Sequence, residues 1–308
     1  MKTIRLPSES VPFENGCIAL GNFDGIHKGH QKVIATCIEQ AQERGVKSAV
    51  YTFAKHHKTV FGDLSKVITH TEAKKAVLLE KLKPDYLLLQ DADEAFLAKA
   101  PEVFVKQILK EMLKASLVVV GSHYSFGVKG VGNTDLLKAL CAKEGIEVMV
   151  LPLMYEDGVL LSSTQIREYI SAGNMEQANR MLGYDFFVMG EVVHGNHIGD
   201  TIGFPTINIA VNAEQILPVY GVYASVTEID GVLYHGVSNV GLKPTVGADR
   251  PLIETHLFGV CKNFYGMQAK VSLKKQLRTE KRFSGLDELK AQIALDCAQA
   301  KAYLNQSL

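Results

Sequence analysis

The chain has 308 residues, enough for two domains that each bury a core. Its 33 Lys and Arg balance its 33 Asp and Glu, so no overall charge draws it to nucleic acid or to a membrane, and any phosphate site must be built locally. Met1–Pro7 lacks the apolar stretch of a signal peptide, no run reaches the roughly 18 apolar residues of a membrane helix, and the five cysteines are scattered. Together these predict a reduced, cytoplasmic protein.

The first chemical segment is Gly21-Asn22-Phe23-Asp24-Gly25-Ile26-His27-Lys28-Gly29-His30. It follows Cys17–Leu20, a short apolar run that reads as a buried strand, and precedes Gln31–Ala41, apolar at helical spacing. Gly21, Gly25 and Gly29 let backbone approach a ligand, and the helix start aims N–H groups at an anion. His27 and His30, three apart, share a face there and suit stabilisation of a phosphate in the transition state. A zinc site would want further ligands, and no Cys/His cluster at metal spacing accompanies the pair.

Strand-like runs follow at Ser48–Phe53, Tyr86–Leu89, Leu117–Val120 and Val148–Leu151, with helical stretches such as Glu72–Leu82 and Ala100–Ala115 between them. This βαβ rhythm predicts a parallel sheet covered on both faces, with ligands at the carboxyl ends of its strands. Leu161-Ser162-Ser163-Thr164-Gln165-Ile166-Arg167 either caps a helix or grips a pyrophosphate with hydroxyls and a guanidinium. Helix-like Ile166–Ala172 and Met175–Leu182 then lead to a change of pattern after about residue 183. Strands dominate from Phe186–Val193 onward, with a hairpin signal at Asp230-Gly231 between Val222–Ile229 and Val232–Val237. An antiparallel barrel or sandwich results, closed by a helix over Leu286–Leu304.

Within this half, Gly190 to Asn208 packs Gly190, Gly195, Gly199 and Gly203 into a strand-flanked loop that can hold a phosphate or serve only as a turn. Thr206 and Asn208, two apart after Pro205, offer neutral oxygens to Mg²⁺ and phosphate from one side of a strand. Glu254 taken alone is a strand-surface charge or a base.

His27-Lys28-Gly29-His30 resembles the His-x-Gly-His signature of nucleotidyltransferases, and the decapeptide resembles the opening of bacterial FAD synthetases. Ser162-Ser163-Thr164-Gln165-Ile166-Arg167 is similar to the motif that this family places over the ATP phosphates. Gly203-Phe204-Pro205-Thr206-Ile207-Asn208 resembles the Pro-Thr-x-Asn signature of riboflavin kinases. Asn239–Thr245, Ile253–Phe258, Phe264-Tyr265-Gly266 and Arg278–Phe283 resemble its later elements. The resemblance spans nearly the whole chain and implies an α/β plus β protein. Residues 1–183 would form a Rossmann-like FMN adenylyltransferase domain, and residues 184–308 a six-stranded antiparallel riboflavin kinase barrel with its C-terminal helix.

It further implies ATP, Mg²⁺, riboflavin, FMN and FAD as small-molecule ligands, flavoproteins as recipients of the product, and no nucleic-acid or membrane partner. His27, His30 and Arg167 would stabilise phosphate charge, and Glu254 would be the kinase base. Gly21, Asn22, Phe23, Asp24, Gly25, Gly29, Ser162, Ser163, Thr164, Gly195, Gly199, Gly203, Pro205, Thr206 and Asn208 would bind nucleotide or flavin, Thr206 and Asn208 also the metal. The chain departs from the family pattern in several places. Thr52-Phe53-Ala54-Lys55-His56-His57 lacks the prolines of a Pro-His-Pro element, and His123 and Ser125 replace a usual Asp and Arg. Asp200 and Val246 replace a usual Arg and Phe. The alternatives are an FMN adenylyltransferase whose kinase half is weakened or inactive, a different nucleotidyltransferase acting on pantetheine or nicotinamide phosphates, against which the Pro-Thr-x-Asn module argues, and, from another class, a non-catalytic flavin-binding regulator.

Overall fold

The structure is a computed structural model that describes residues 1–55, 66–195, 199, 202–245, 248–260 and 262–306, with side chains outside 242–251 and 306. His56, His57, Asn196, His197, Asp200, Val246 and Cys261 lie outside the described residues or side chains. By contact the chain falls into two compact units, Met1–Ser163 and Thr164–Leu308.

The first unit is built on a six-stranded, all-parallel sheet of β1 (Lys2–Leu6), β2 (Gly16–Leu20), β3 (Ser48–Phe53), β4 (Tyr86–Gln90), β5 (Ala115–Gly121) and β6 (Glu147–Leu151). The spatial order is β1-β4-β3-β2-β5-β6. β2 is buried at every residue, and Ala49, Val50, Leu87, Leu88 and Val118–Val120 are likewise covered, as a sheet with helices on both faces requires. The chain passes from β2 to one side, through β3 and β4, before it returns to β5 on the other. The strand order therefore reverses beside β2, and its carboxyl end opens at that switch point.

Helix α1 (Lys28–Arg44) leaves from there and ends at Gly45, which adopts φ +66° as a left-handed cap. The helices α2 (Thr71–Val77), α3 (Glu94–Leu97), α4 (Pro101–Val103) and α5 (Thr134–Lys143) follow, α2 and α4 running on as wider π-type turns over Leu78–Leu82 and Phe104–Met112. β7 (Tyr155–Glu156) and β8 (Val159–Leu160) form a small separate hairpin. β1 has no counterpart in the sequence reading. Only Ile4 and Leu6 of its five residues are buried, and an edge strand with so short an apolar signal leaves no periodicity to detect.

The second unit opens with α6 (Ser163–Ser171), whose first residue ends the first unit, and α7 (Met175–Leu182). A closed antiparallel barrel follows, of β9 (Phe187–Val193), β10 (Ile207–Ala210), β11 (Gly221–Ile229), β12 (Val232–Thr245), β13 (Ala248–Leu257) and β14 (Gln268–Thr279). The order around it is β10-β13-β12-β11-β14-β9. β11 and β12 form the expected hairpin, with Asp230 at φ +52° and Gly231 at φ +74°, the backbone of a two-residue turn whose twist matches its strands. Helix α8 (Leu286–Gln306) lays Cys297, Ala300 and Leu304 against Val222, Ala224 and Val237.

Cys17, Cys37, Cys141 and Cys297 are buried free thiols. No helix among the described residues is long and apolar enough to cross a membrane.

Candidate functional site

The segment after β2 is held in an unfavourable backbone path. Phe23 has φ +47°, Gly25 φ +80° and Ile26 φ +37°. Glycine takes such an angle freely, but a β-branched isoleucine does not, and each strained residue costs about 1–3 kcal/mol. Several hydrogen bonds hold it there. The Asn22 carbonyl accepts from Thr52 Oγ1 at 2.9 Å and from Lys74 Nζ at 2.7 Å. Asp24, 4% exposed, accepts from the Ile68 and Thr69 amides at 2.8 and 3.1 Å. The Gly25 amide donates to Thr69 Oγ1, and Ser163 Oγ donates to the Asp24 carbonyl at 2.8 Å.

His27 caps α1, its Nδ1 accepting from the His30 amide at 3.4 Å, which leaves the ring proton on Nε2. The two imidazoles stack at 3.7 Å, and Phe23 meets His30 edge-on at 5.3 Å. Burial lowers the His27 pKa to about 4, and burial reinforced by the neighbouring His27 and Lys74 lowers that of His30 well below the ordinary range. Both are neutral N–H donors at neutral pH. His30 Nδ1 is buried and has no hydrogen-bond partner among the described residues. With the first-turn N–H groups of α1, which no helical carbonyl reaches, the pair offers donors suited to an anion.

Gly29 packs under His27, where a Cβ would come within 3.1 Å of the ring, and Gly21 lies equally close to Phe23. Ser162 and Ser163 lead into α6 beside Asp24, through the Ser163 bond. Thr164 and Arg167 come next along α6 within the second unit, where Arg167 Nη2 donates to Thr164 Oγ1 at 3.3 Å.

In the barrel, register decides the second site. Asn208 on β10, Glu254 on β13 and Asn239 on β12 are direct cross-strand partners, so their side chains stand in one row on one face. Thr206, just before β10, donates to Glu254 Oε1 at 3.2 Å. Asn208 is 4% exposed, and its Oδ1 has no partner among the described residues. Gly195 packs against it, leaving no room for a side chain there. Gly199 accepts from the amides of Ile202 and Phe204, Gly203 turns with φ +85°, and the Pro205 carbonyl lies 2.8 Å from His256 Nδ1.

Gly199, Thr206, Asn239, Glu254 and His256 border a cavity of about 620 Å³ between the barrel wall and α8. Ile202, Phe204, Val222, Val237, Leu289 and Ile293 make its apolar walls, while Thr206, Asn239 and Glu254 make a polar end. Arg278, Lys281 and Arg282 bring positive charge to it, and Glu280 and Asp296 negative charge. Arg278 is fixed by a bidentate pair with buried Asp296 and by the face of Phe283 at 5.6 Å. An apolar slot of this size with a carboxylate at one end suits a planar ring carrying a hydroxyl chain.

Lys74 and Thr69 under the first site, and Asn239, Arg278 and Asp296 in the second, escaped individual notice in the sequence. Lys74 and Asp296 lie in helical stretches with no motif to single them out, and only the strand pairing brings Asn239 to Glu254.

The FAD synthetase family model matches residues 11–165, and the riboflavin kinase family model matches residues 182–304. A bifunctional riboflavin kinase/FMN adenylyltransferase from Bacillus subtilis is 37% identical, covering 99% of each chain. The protein of that name from Escherichia coli is 34% identical over 98% of each, and that from Haemophilus influenzae 34% identical over 94% of this chain and 95% of its own. A crystal structure titled as a macrolide-efflux protein from Streptococcus pneumoniae superposes with a TM-score of 0.86 at 28% identity, covering 96% of this chain and 97% of that one.

Proposed function

The chain belongs to the family of bifunctional riboflavin kinase/FMN adenylyltransferases, and from that premise we propose which residues carry each of its two reactions. The first module makes FAD and pyrophosphate from FMN and ATP, and the second makes FMN and ADP from riboflavin and ATP. Both domains match in full family order, which favours two activities over a chain with a decayed kinase half or a non-catalytic flavin binder.

In adenylyl transfer an oxygen of the FMN phosphate attacks the α-phosphorus of ATP, and the bond to the bridging oxygen breaks. The nucleophile is already ionised, so no general base is required. Catalysis reduces to alignment and to stabilising charge on the phosphates. His27 and His30 do this as neutral N–H donors, with the first turn of α1 behind them, and Arg167, one turn after Ser163, adds a cation. Gly21 to Gly25, Gly29, Ser162, Ser163 and Thr164 line the nucleotide. We place the border between the modules at 183/184, just after the riboflavin kinase match begins at 182, so that α6 is assigned to the first module although it groups with the second unit by contact.

In the kinase reaction the flavin 5′-hydroxyl attacks the γ-phosphorus of ATP, the bond to the β,γ-bridging oxygen breaks to release ADP, and the hydroxyl proton passes to Glu254. Thr206 Oγ1, hydrogen-bonded to the same carboxylate, keeps it oriented. The unpartnered, buried Oδ1 of Asn208 beside the neutral oxygen of Thr206 fits Mg²⁺, and the ion, when bound, would neutralise charge on the ATP phosphates. Gly195, Gly199, Gly203 and Pro205 shape the loop over those phosphates. Flavoproteins of the cytoplasm are the recipients of the product.

The row Asn208–Glu254–Asn239, of which Glu254 and Asn239 line the cavity, is the observation that carries the kinase assignment. Incubating the protein with ATP, Mg²⁺ and either riboflavin or FMN, then separating the flavins, tests the whole reading. FMN must appear from riboflavin, and FAD from FMN.

A further inference from the structure

Lys74 is 9% exposed, yet lysines are rarely buried without a purpose that outweighs the loss of hydration. It sits on α2, and its ammonium donates to the backbone carbonyl of Asn22 at 2.7 Å. That carbonyl opens the strained run from Phe23 to Ile26, whose left-handed angles persist only while the surroundings over-determine them. Thr52, the Ile68 and Thr69 amides, Thr69 Oγ1 and Ser163 hold the same run, but Lys74 alone in this set brings a charge. The groups facing that charge are the buried carboxylate of Asp24, which favours it, and the imidazole of His30, whose protonation it opposes. On its own helix Glu72 and Lys75 pair with each other at the surface.

We propose that Lys74 is a positioning residue of the adenylyl-transfer site, its buried ammonium locking the Asn22 carbonyl so that the loop from Gly21 to Gly29 presents its N–H groups and histidines to the phosphates. This rests on the assignment of that loop to FAD formation. A charge there also keeps His30 neutral, so that the ring stays a donor of its own proton. Burial, partly offset by Asp24, brings the Lys74 pKa down to about 8. The ammonium is therefore present below that pH and lost above it, and with it the stronger, charge-assisted hold on the carbonyl.

The experiment is the pH profile of kcat/KM for ATP in FAD formation, measured on the full chain with FMN supplied, for wild type, Lys74→Met and Lys74→Arg. Wild type should lose activity above about pH 8, while its riboflavin phosphorylation follows a different alkaline profile. Lys74→Met should be slower by about 100-fold at pH 7, the scale of a loop displaced by about 1 Å, and should lack the alkaline limb. Lys74→Arg keeps a charge that does not titrate, so it should recover part of the rate with no fall near pH 8. A Lys74→Met enzyme with the wild-type rate and limb overturns the proposal. So does a wild-type profile flat to pH 9.5, which needs no variant to fold. A wild-type protein that makes no FAD at any pH would instead refute the assignment of the site.

Discussion

Gly195→Ala tests the kinase site by geometry alone. A Cβ there would stand 2.2 Å from Asn208 Nδ2, 2.7 Å from Cγ and 2.9 Å from Oδ1. Ordinary carbon contacts lie at about 3.5 Å, so the amide or the loop must withdraw by about 1 Å. Asn208 cannot recede easily, because it is 4% exposed and locked in register between Val193 and Glu254. Overpacking of this kind costs about 1–3 kcal/mol of stability. Moving a reacting or metal-holding group by about 1 Å costs about 100-fold in rate, or about 2.7 kcal/mol of barrier. We expect Gly195→Ala to phosphorylate riboflavin about 100-fold more slowly and to need more Mg²⁺ for half-maximal rate, with FAD formation from supplied FMN unchanged. Gly285→Ala is the comparison, since its Cβ meets nothing within 4 Å and its backbone is not left-handed, so it should lose far less. Wild-type phosphorylation by Gly195→Ala at an unshifted Mg²⁺ requirement would refute the placement of Asn208 in the site.

Three other outcomes follow from the same geometry. His27→Ala or His30→Ala should lower FAD formation by about 100- to 1,000-fold while riboflavin phosphorylation holds, as assays of the two reactions on one preparation will show; equal loss of both would mark the pair as structural. Glu254→Gln keeps the shape but removes the proton acceptor, so riboflavin turnover should collapse while FMN is still converted to FAD; a variant with wild-type riboflavin kinetics would remove Glu254 from that role. His27 gives the first unit an acid limit. Its folded pKa near 4 lies below the ordinary 6.5, so the unfolded chain binds a proton between those values that the folded one does not. Stability is thus fully present above pH 6.5 and falls as pH drops toward 4, by up to about 3 kcal/mol from this group. Melting curves across that window should be flatter for His27→Gln than for wild type, and identical slopes would contradict the assignment.

Much of this was readable in the chain because it is local. The decapeptide from Gly21 to His30 declares a strand, a turn and a helix, and His27 does cap that helix with His30 on its first turn. Asp230-Gly231 declares a hairpin because few other pairs accept two successive left-handed angles. Lys74 was not readable, since a lysine beside a second lysine on a helix looks like a solvated face. Only the fold turns it inward onto Asn22.

The sequence by itself determined the alternation of elements in the first half, though not its edge strand β1, and the change to strands in the second, because propensity, hydrophobic period and motif spacing act over a few neighbours. The tertiary structure decided which residues meet. Parallel pairing set β5 beside β2 and so opened the switch point over His27 and His30. Barrel register set Asn208, Glu254 and Asn239 in one row, where a slip of one residue would have turned Glu254 to the other face. Burial then made the two histidines neutral. Register and burial are sums over contacts between segments distant in the chain, and no local pattern contains them.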